Sequence, residues 1–322
     1  MDARLGIQGA FSKGLQRVLT HLAVLMPYGK ASQVAEELAG IKVTDSSIWE
    51  IVQKASSKEH SAWNPITSQK QSHSERMGVA MDGCVINVRH EGWKEAKIGV
   101  IFEVEDVANT NSEGDVHDVA CIQTSCVLHL GGPEGLSNQL AAEARARHFS
   151  QAAQQSVVAD GAEWIWRIAE CDYPNAVQVN DWYHACQHLH TAAALIFPDA
   201  DQTEPLASWI EHHKQVLYGG GANLVSHEIR TRAGAHGGKN KALMETEAGY
   251  FASRHARMQY ADFHDAGLPI GSGVVEGTAK QVKHRMSASG MRWSRSGADR
   301  LAPFLAAEIS GTFAAYWEKT CP

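Results

Sequence analysis

The spacing of apolar residues changes twice along the chain, and each change marks a different kind of structure. Over residues 16–56 the apolar positions recur at helical spacing. Between residues 76 and 181, short apolar runs rich in strand-forming residues are interleaved with helical stretches. After residue 181 the helical period returns and continues to about residue 265. The pattern therefore predicts a helical start, a mixed α/β part and a long helical part.

The N-terminal part of the chain reads as helices separated by a glycine-containing break. Thr44 or Asp45 can cap the helix that follows this break, because a side-chain oxygen at that position accepts from free backbone N–H groups. The pattern is helix-turn-helix-like, and this motif often binds DNA. Any two packed helices give the same pattern, so a purely structural role stays open. Residues 56–75 are polar and unpatterned, which predicts a linker.

The elements predicted over residues 76–181 follow the order βββ-α-β-α-β. This is the order of the ribonuclease H-like fold, an α/β fold with a mixed sheet and helices on its faces. The sequence is accordingly divided into an N-terminal segment with its linker (1–75), a first part of the core (76–181), an all-helical insertion (182–265) and a last part of the core (266–322).

Composition narrows the range of functions. The 322 residues are 44% hydrophobic and 20% charged, which is ordinary for a globular protein. No apolar run approaches the roughly 18–20 residues that cross a bilayer, and the first residues lack signal-peptide character, so a cytoplasmic protein without membrane contact is expected. The six cysteines form no Cys-x-x-Cys pair, which argues against a zinc ribbon or a disulfide framework. Because the net charge is −7, any binding of nucleic acid has to rest on local basic patches.

Two Asp-Gly pairs lie in apolar runs that are predicted to be strands. Asp82 lies within the first strand, and Asp160 ends the fourth. In a mixed sheet of this order the two strands can be neighbours, so both acids can project to the same side. With a third acid from a helix they can hold two divalent ions, which activate a water or hydroxyl and stabilise the leaving oxygen of a phosphodiester. Oxygen ligands suit Mg²⁺ or Mn²⁺. The alternative is that each Asp only caps a turn before glycine.

The third acid is predicted to be Glu276, in the stretch "GSGVVEGTAKQVKHR". It is the only acid between Asp265 and Asp299. A phosphate-binding glycine loop is a poorer interpretation, because the stretch lacks the Lys-Ser/Thr ending and follows a helical region. The remaining alternative is a helix N-terminus at which Glu276 interacts favourably with the helix dipole.

The stretch "DWYHACQHLH" is a further candidate site. Asp181 ends the fifth strand, and His184 and His188 share a helix face, as zinc ligands can. No third ligand is evident, so the favoured interpretation is that Asp181 and His184 line a site. A zinc protein built on His184, His188 and His190 is an alternative, and an N-cap aspartate beside a core histidine is another.

A basic stretch follows Glu276 directly. It is predicted to hold the phosphates of DNA, with one aromatic residue that can stack on a base. The alternative is a solvated helix face with a buried tryptophan. The candidate residues are Lys280, Lys283, Arg285, Arg292, Trp293 and Arg295.

Four stretches in this order resemble the bacterial insertion-sequence transposases of the Kra type, which carry a ribonuclease H-like DDE domain. "DWYH" also matches the Asp-x-x-His signature shared with Mutator-like transposases. The resemblance runs through nearly all of residues 16–301. The stretches are "VLMPYGKASQVAEEL", "DGCVINVRHEGWKEAKIGVIF", "VVADGAEWIWRIAECDYPNAVQVNDWYHACQHL" and "GSGVVEGTAKQVKHRMSASGMRWSRSGADRL".

The resemblance implies a function and assigns roles to the residues. Asp82, Asp160 and Glu276 would be the catalytic triad that holds two Mg²⁺ or Mn²⁺ ions, and Asp181 and His184 the accessory pair. The partners would be the DNA of the element ends and of the target, with a homodimer or higher oligomer on DNA in the bacterial nucleoid. This chain lacks the cysteine-rich, zinc-binding N-terminal region usual in the family. A shortened, inactive DNA-binding derivative and another ribonuclease H-like nuclease therefore stay open as alternatives.

Overall fold

Five strands form one mixed sheet, and helices cover both of its faces. The computed structural model describes residues 7–8, 11–55, 74–107, 118–198, 203–234 and 237–321. The strands in these ranges are β1 (Ile7–Gln8), β2 (Phe11–Ser12), β3 (Arg76–Val88), β4 (Gly92–Val107), β5 (Asp118–Leu130), β6 (Gln154–Ala159) and β7 (Val177–Asn180). The two short strands β1 and β2 pair with each other, apart from the main sheet.

The main sheet has the strand order β5-β4-β3-β6-β7. β3, β4 and β5 are consecutive and antiparallel, whereas β6 and β7 run parallel to β3. Each parallel strand needs a crossover connection, and two helices provide them. These helices are α4 (Pro133–Ala146), between β5 and β6, and α5 (Glu163–Asp172), between β6 and β7. The mixed α/β class predicted from the sequence is thus confirmed, with the predicted order of elements over residues 76–181.

Strand β3 shows why the sheet is covered on both faces. Successive side chains of a strand point to opposite faces. Met77, Val79 and Met81 pack in a cluster with residues of α4 and α5. Ala80 and Cys84 point the other way, into a cluster that includes residues of the last helices of the chain. The near-continuous apolar run of β3 is therefore required by burial on both sides.

The last helices are α11 (Gly273–Met286), α12 (Arg295–Ile309) and α13 (Phe313–Thr320). Residues from all three join the cluster on the second face of the sheet. The loop between α11 and α12 is fixed to the end of β3, because the Trp293 N–H donates to the Asn87 carbonyl at 2.9 Å and the Arg89 N–H donates to the Trp293 carbonyl at 2.7 Å.

The N-terminal helices belong to this same core. They are α1 (Lys13–Leu25), α2 (Tyr28–Ala39) and α3 (Asp45–Ala55). Leu19, Ile48 and Val52 are fully buried in the cluster that also contains residues of α12. Thr44 caps α3 as the sequence suggests, because its Oγ1 accepts from the Ser47 N–H at 3.1 Å. Of the predicted linker, residues 56–73 lie outside the described part of the chain.

Five helices between β7 and α11 form a cluster of their own. They are α6 (Trp182–Ile196), α7 (Thr203–Tyr218), α8 (Ala222–Ala233), α9 (Gly238–Arg254) and α10 (Tyr260–Asp265). They cover the range that was predicted to be an all-helical insertion, and their buried residues pack mainly against one another. In the described part of the chain, no helix has the length and apolar character needed to span a bilayer.

Candidate functional site

Three aspartates lie in one row, within β3 and directly after β6 and β7. Met81 pairs with Ala159, and Ala159 pairs with Asn180. The next residue of each segment is Asp82, Asp160 or Asp181. Residues opposite each other on parallel strands point to the same face. Asp82 has the parity of Ala80 and Cys84, so this row faces the side of the sheet on which α11 packs.

Asp82 and Asp160 interact through their charges. Burial raises the pKa of Asp82 above its ordinary value, and the negative charge of Asp160 raises it further. The hydrogen bond from the Gly83 N–H, 2.6 Å from Oδ1, and the charges of Lys283 and His184 act in the opposite direction. A carboxylate with a second carboxylate charge beside it is suited to share a cation with that neighbour.

Asp160 lies in a tight turn between β6 and α5. Its Oδ1 accepts from the Ala162 N–H at 3.1 Å. Gly161 adopts a φ of 107°, in the region that favours glycine. The carbonyl of Gly161 accepts from Nη2 of Arg254 at 3.0 Å, so the helical cluster contributes a cation beside this turn.

Asp181 is fully buried and joins two helices. Its Oδ1 accepts from the His184 N–H at 2.6 Å, which caps α6. Its Oδ2 accepts from the Ser272 N–H, at the residue that precedes α11. The Trp182 N–H also donates to the Ile270 carbonyl at 2.9 Å. The start of α6 and the start of α11 are therefore held side by side.

This junction brings Asp181, His184 and Glu276 together. One ligand atom from each residue lies within 4.8 Å of the others, so the group could hold a metal ion. Nδ1 of His184 lies 3.8 Å from Oδ1 of Asp181 and is buried without a hydrogen-bond partner among the described residues. Glu276 lies in the first turn of α11, where the Ser272 hydroxyl donates to its Oε1 at 3.4 Å.

The predicted site residues are thus arranged in two linked sets. Asp82 and Asp160 form a carboxylate pair on adjacent strands, while Glu276 groups with Asp181 and His184. Positive charge on His184 lowers the pKa of Asp82, so the two sets lie near each other at the same edge of the sheet. Among the described residues, Asp82, Asp160 and Glu276 do not form a group with ligand atoms within 4.8 Å of one another.

The histidines further along α6 are engaged elsewhere. Nδ1 of His188 lies 2.7 Å from Oε2 of Glu247, and its ring stacks on Tyr250 at 3.6 Å between centroids. His190 is exposed. Within the described part of the chain, His184, His188 and His190 form no group of metal ligands, so the geometry does not favour the zinc interpretation.

The basic stretch after Glu276 divides into surface and structural residues. Lys280, Lys283 and Arg292 are exposed. Arg295 forms an ion pair with Glu91, with Nη2 and Oε2 2.5 Å apart.

The predicted DNA contacts by Arg285 and Trp293 are wrong, because both side chains are buried. Nε and Nη2 of Arg285 donate to the Ala23 carbonyl at 2.8 and 2.7 Å. The guanidinium carbon lies 5.6 Å from the ring centroid of Tyr28 and 4.9 Å from that of Trp293. Burial lowers the pKa of Arg285 to about 10. The indole N–H of Trp293 donates to the Met286 carbonyl at 2.8 Å.

Sequence reasoning missed three residues at this edge. Ser272 binds Asp181 and Glu276, Arg254 binds the Gly161 carbonyl, and Tyr183 is 63% exposed beside His184. The "GSG" stretch gave a signal for Ser272, and "DWYH" contains Tyr183. Arg254 lies 94 residues beyond Asp160 in a helix, so no local pattern identifies it.

Neither a scan against protein-family models nor a search of the curated proteins finds a match to this chain.

Proposed function

We propose that the chain is a DDE-type DNA transposase of an insertion sequence, which cuts and joins DNA phosphodiesters with divalent metal ions. The observation that carries the proposal is a pair of neighbouring acidic groups. Asp82 and Asp160 lie on adjacent strands, and Asp181, His184 and Glu276 have ligand atoms within 4.8 Å of one another. The strand order supports it, because three antiparallel strands followed by two strands parallel to the first is the arrangement of the ribonuclease H-like fold. The resemblance in sequence points to the same activity.

The residues present fit a metal ion. Asp82 and Asp160 repel each other, and a cation between them would relieve that repulsion. Nδ1 of His184 is a buried nitrogen without a partner among the described residues, as a ligand without its metal would be. Asp82, Asp160 and Glu276 would hold Mg²⁺ or Mn²⁺, with His184 at the margin. When bound, such ions activate a water or a 3′-hydroxyl and stabilise the leaving oxygen.

The protein's own groups position the reacting parts. Backbone N–H groups at Gly83 and Ala162 orient the carboxylates of Asp82 and Asp160. Asp181 fixes the start of α11, on which Glu276 lies. The side chain of His184 is 35% exposed, so it can be reached from solvent at the margin of the site. The exposed Lys280, Lys283 and Arg292 would contact DNA phosphates.

Metal-dependent nicking of a supercoiled plasmid tests the proposal without knowledge of the element ends. Wild-type protein should nick in Mn²⁺ and not in EDTA. Asp82→Asn should abolish nicking while the circular dichroism spectrum and elution volume stay those of the wild type. Asp262→Asn is the matched control, since Asp262 is exposed on α10 and belongs to neither acidic group of the site, and it should retain full activity. Full nicking activity of Asp82→Asn would contradict the assignment of Asp82 as a catalytic metal ligand.

The joining of DNA strands distinguishes a transposase from another nuclease of the same fold. Such a nuclease would use the same acidic residues, so the metal site is common to the two candidates. Oligonucleotides from the DNA that flanks the gene, supplied with free 3′-hydroxyls, should be joined to plasmid in Mn²⁺. Cleavage without joining would indicate a simple nuclease, and a DNA shift without cleavage would indicate an inactive DNA-binding derivative.

A further inference from the structure

A groove rich in arginine opens beside the turn that carries Asp160. It consists of two adjoining hollows of about 460 and 430 Å³, which share Glu170, Ser253, Arg254 and Arg257. One wall is α5, and the other is the end of α9 with the turn that follows it. Gly161 lines the groove, so it reaches the residue next to Asp160.

The groove carries an excess of positive charge. Arg167, Arg254 and Arg257 line it, against two acids, Glu163 and Glu170. Such an excess is notable in a chain whose net charge is −7. The charged residues of its lining sum to +1, which favours an anionic ligand over a cationic one.

Arg254 has no acidic partner. Within the described ranges no carboxylate oxygen lies within 4.0 Å of its nitrogens. Nη2 donates to the Gly161 carbonyl, and Nη1 donates to the Ser253 hydroxyl at 3.0 Å and to the Tyr250 carbonyl at 3.5 Å. Nε is buried, so a ligand would be bound through the two Nη atoms, whose four N–H groups make these three bonds and leave one free.

The other two arginines are paired with exposed acids that a ligand can replace. Nη2 of Arg257 lies 3.0 Å from Oε1 of Glu170, which is 58% exposed, and the guanidinium carbon lies 4.4 Å from the ring centroid of Trp166. Arg167 and Glu163 form an exposed pair within one helix. Such surface ion pairs are weak, because water and salt screen the charges. A phosphate, which accepts from arginine in a bidentate manner, can compete for these groups.

We propose that this arginine groove binds the phosphodiester backbone of the nucleic-acid strand that leads to the bond cut at Asp82 and Asp160. The inference rests on the proposed function, because the groove would hold the DNA that leads to the cleavage site assigned there. It assigns DNA contacts to Arg167, Arg254 and Arg257, in addition to those proposed for the basic residues of α11. Arg254 is also a positioning residue, since its bond to Gly161 couples the groove to the turn of Asp160.

The test is binding of labelled single-stranded and duplex oligonucleotides by fluorescence anisotropy, in EDTA and over a salt series. Arg167→Gln with Arg257→Gln should weaken affinity about tenfold and lower the slope of log affinity against log salt by about 1.5, as expected for two lost phosphate contacts. Glu170→Gln should tighten binding, because it removes the acid that competes for Arg257. A gain of affinity cannot result from misfolding.

The matched controls change an exposed ion pair outside the groove. The arginine of this pair is the control for the groove arginines, and its glutamate is the control for Glu170. Arg230 on α8 and Glu245 on α9 lie 3.8 Å apart and are each about half exposed. Arg230→Gln and Glu245→Gln should leave affinity and salt slope unchanged. Groove variants that bind like these controls would overturn the inference, and so would a wild-type protein that binds no DNA.

Two further results separate this inference from the proposed function and from a smaller ligand. If the groove variants lose affinity but the wild type never nicks DNA, the groove stands and the transposase assignment fails. If the wild type nicks DNA and the groove variants bind DNA normally, the transposase assignment stands and the groove assignment fails. Inorganic phosphate, titrated by calorimetry, should bind weakly or not at all. Tight phosphate binding that depends on Arg257 would assign the groove to a small phosphorylated ligand instead.

Discussion

Oδ2 of Asp181 accepts a hydrogen bond from the backbone N–H of Ser272, 91 residues further along the chain. This bond, with the cap that Oδ1 provides for α6, ties the end of the sheet to the start of the helix that carries Glu276. A single buried carboxylate thus sets the distance between His184 and Glu276. It explains why an aspartate is required here, since both of its oxygens accept from backbone donors.

Asp181→Asn is expected to destabilise the protein and loosen the site. The asparagine amide keeps one acceptor, but it places an NH₂ group against a backbone donor. Leaving a buried donor unsatisfied costs about 1–3 kcal/mol. Urea denaturation measures this loss, and Mn²⁺ affinity should fall in parallel. Asp45→Asn, at an exposed helix start, is the control, and its change should stay within about 0.5 kcal/mol. Equal stability of the two variants would contradict the role given to Asp181.

The spacing of apolar residues along the chain predicted the order of helices and strands, because each element buries one face or both faces at its own period. The order of strands and helices over residues 76–181 and the cap at Thr44 both follow from spacing and side-chain chemistry. Asp82 and Asp160 could be found for the same reason, since each lies in an Asp-Gly pair on a strand.

Contacts between distant segments could not be predicted in this way. Glu276 groups with Asp181 and His184 because of the bond between Asp181 and Ser272, which no local pattern contains. Arg285 looked like one of several surface cations, yet its partner is the Ala23 carbonyl, 262 residues earlier. A basic run shows charge, but it does not show which of its members point inward.

Arg285→Gln is expected to act on stability and not on DNA contact. The change removes two hydrogen bonds from a charged donor to Ala23 and the contact with the Trp293 ring. A cost of about 2–3 kcal/mol follows. Lys283→Gln, on the exposed face of the same helix, should change stability by less than about 0.5 kcal/mol.

Salt dependence of DNA binding distinguishes these two residues. Loss of Lys283 should lower the salt slope by about 1, as loss of one phosphate contact does. The folded fraction of Arg285→Gln should keep the wild-type slope. A lower slope for Arg285→Gln with unchanged stability would restore Arg285 as a DNA contact.

Gly161→Ala is expected to distort the turn that holds Asp160. Gly161 has a φ of 107°, and an added Cβ would lie 2.8 Å from Nε of Arg254 and 3.1 Å from Oδ1 of Asn180. Backbone strain of this kind costs about 1–3 kcal/mol, and the arginine must also move. Gly249→Ala is the control in α9, where nothing lies within 4 Å and helix propensity predicts a gain of about 0.5–1 kcal/mol. Thermal denaturation should therefore show shifts of opposite sign, and a stabilised Gly161→Ala would refute the described turn.

Asp82→Asn is expected to stabilise the metal-free protein although it abolishes cleavage. Burial and the charge of Asp160 raise the pKa of Asp82, so the folded state retains a proton that the unfolded chain releases at about pH 3.9. Stability of the wild type should fall as pH rises from there through the raised pKa. The asparagine variant lacks this loss, so it should be the more stable at neutral pH. Because Asp82 is partly exposed and screened by solvent, the gain in stability should be small.

Urea denaturation at several pH values in EDTA measures this difference between Asp82→Asn and the wild type. The two curves should converge near pH 3, where the wild-type carboxyl is protonated in both states. Mn²⁺ should then stabilise the wild type and leave the variant unchanged, because a ligand stabilises only the state that binds it. A variant that is less stable than the wild type in EDTA would show that the ionised Asp82 is stabilised by its surroundings, and that the two carboxylates do not repel each other.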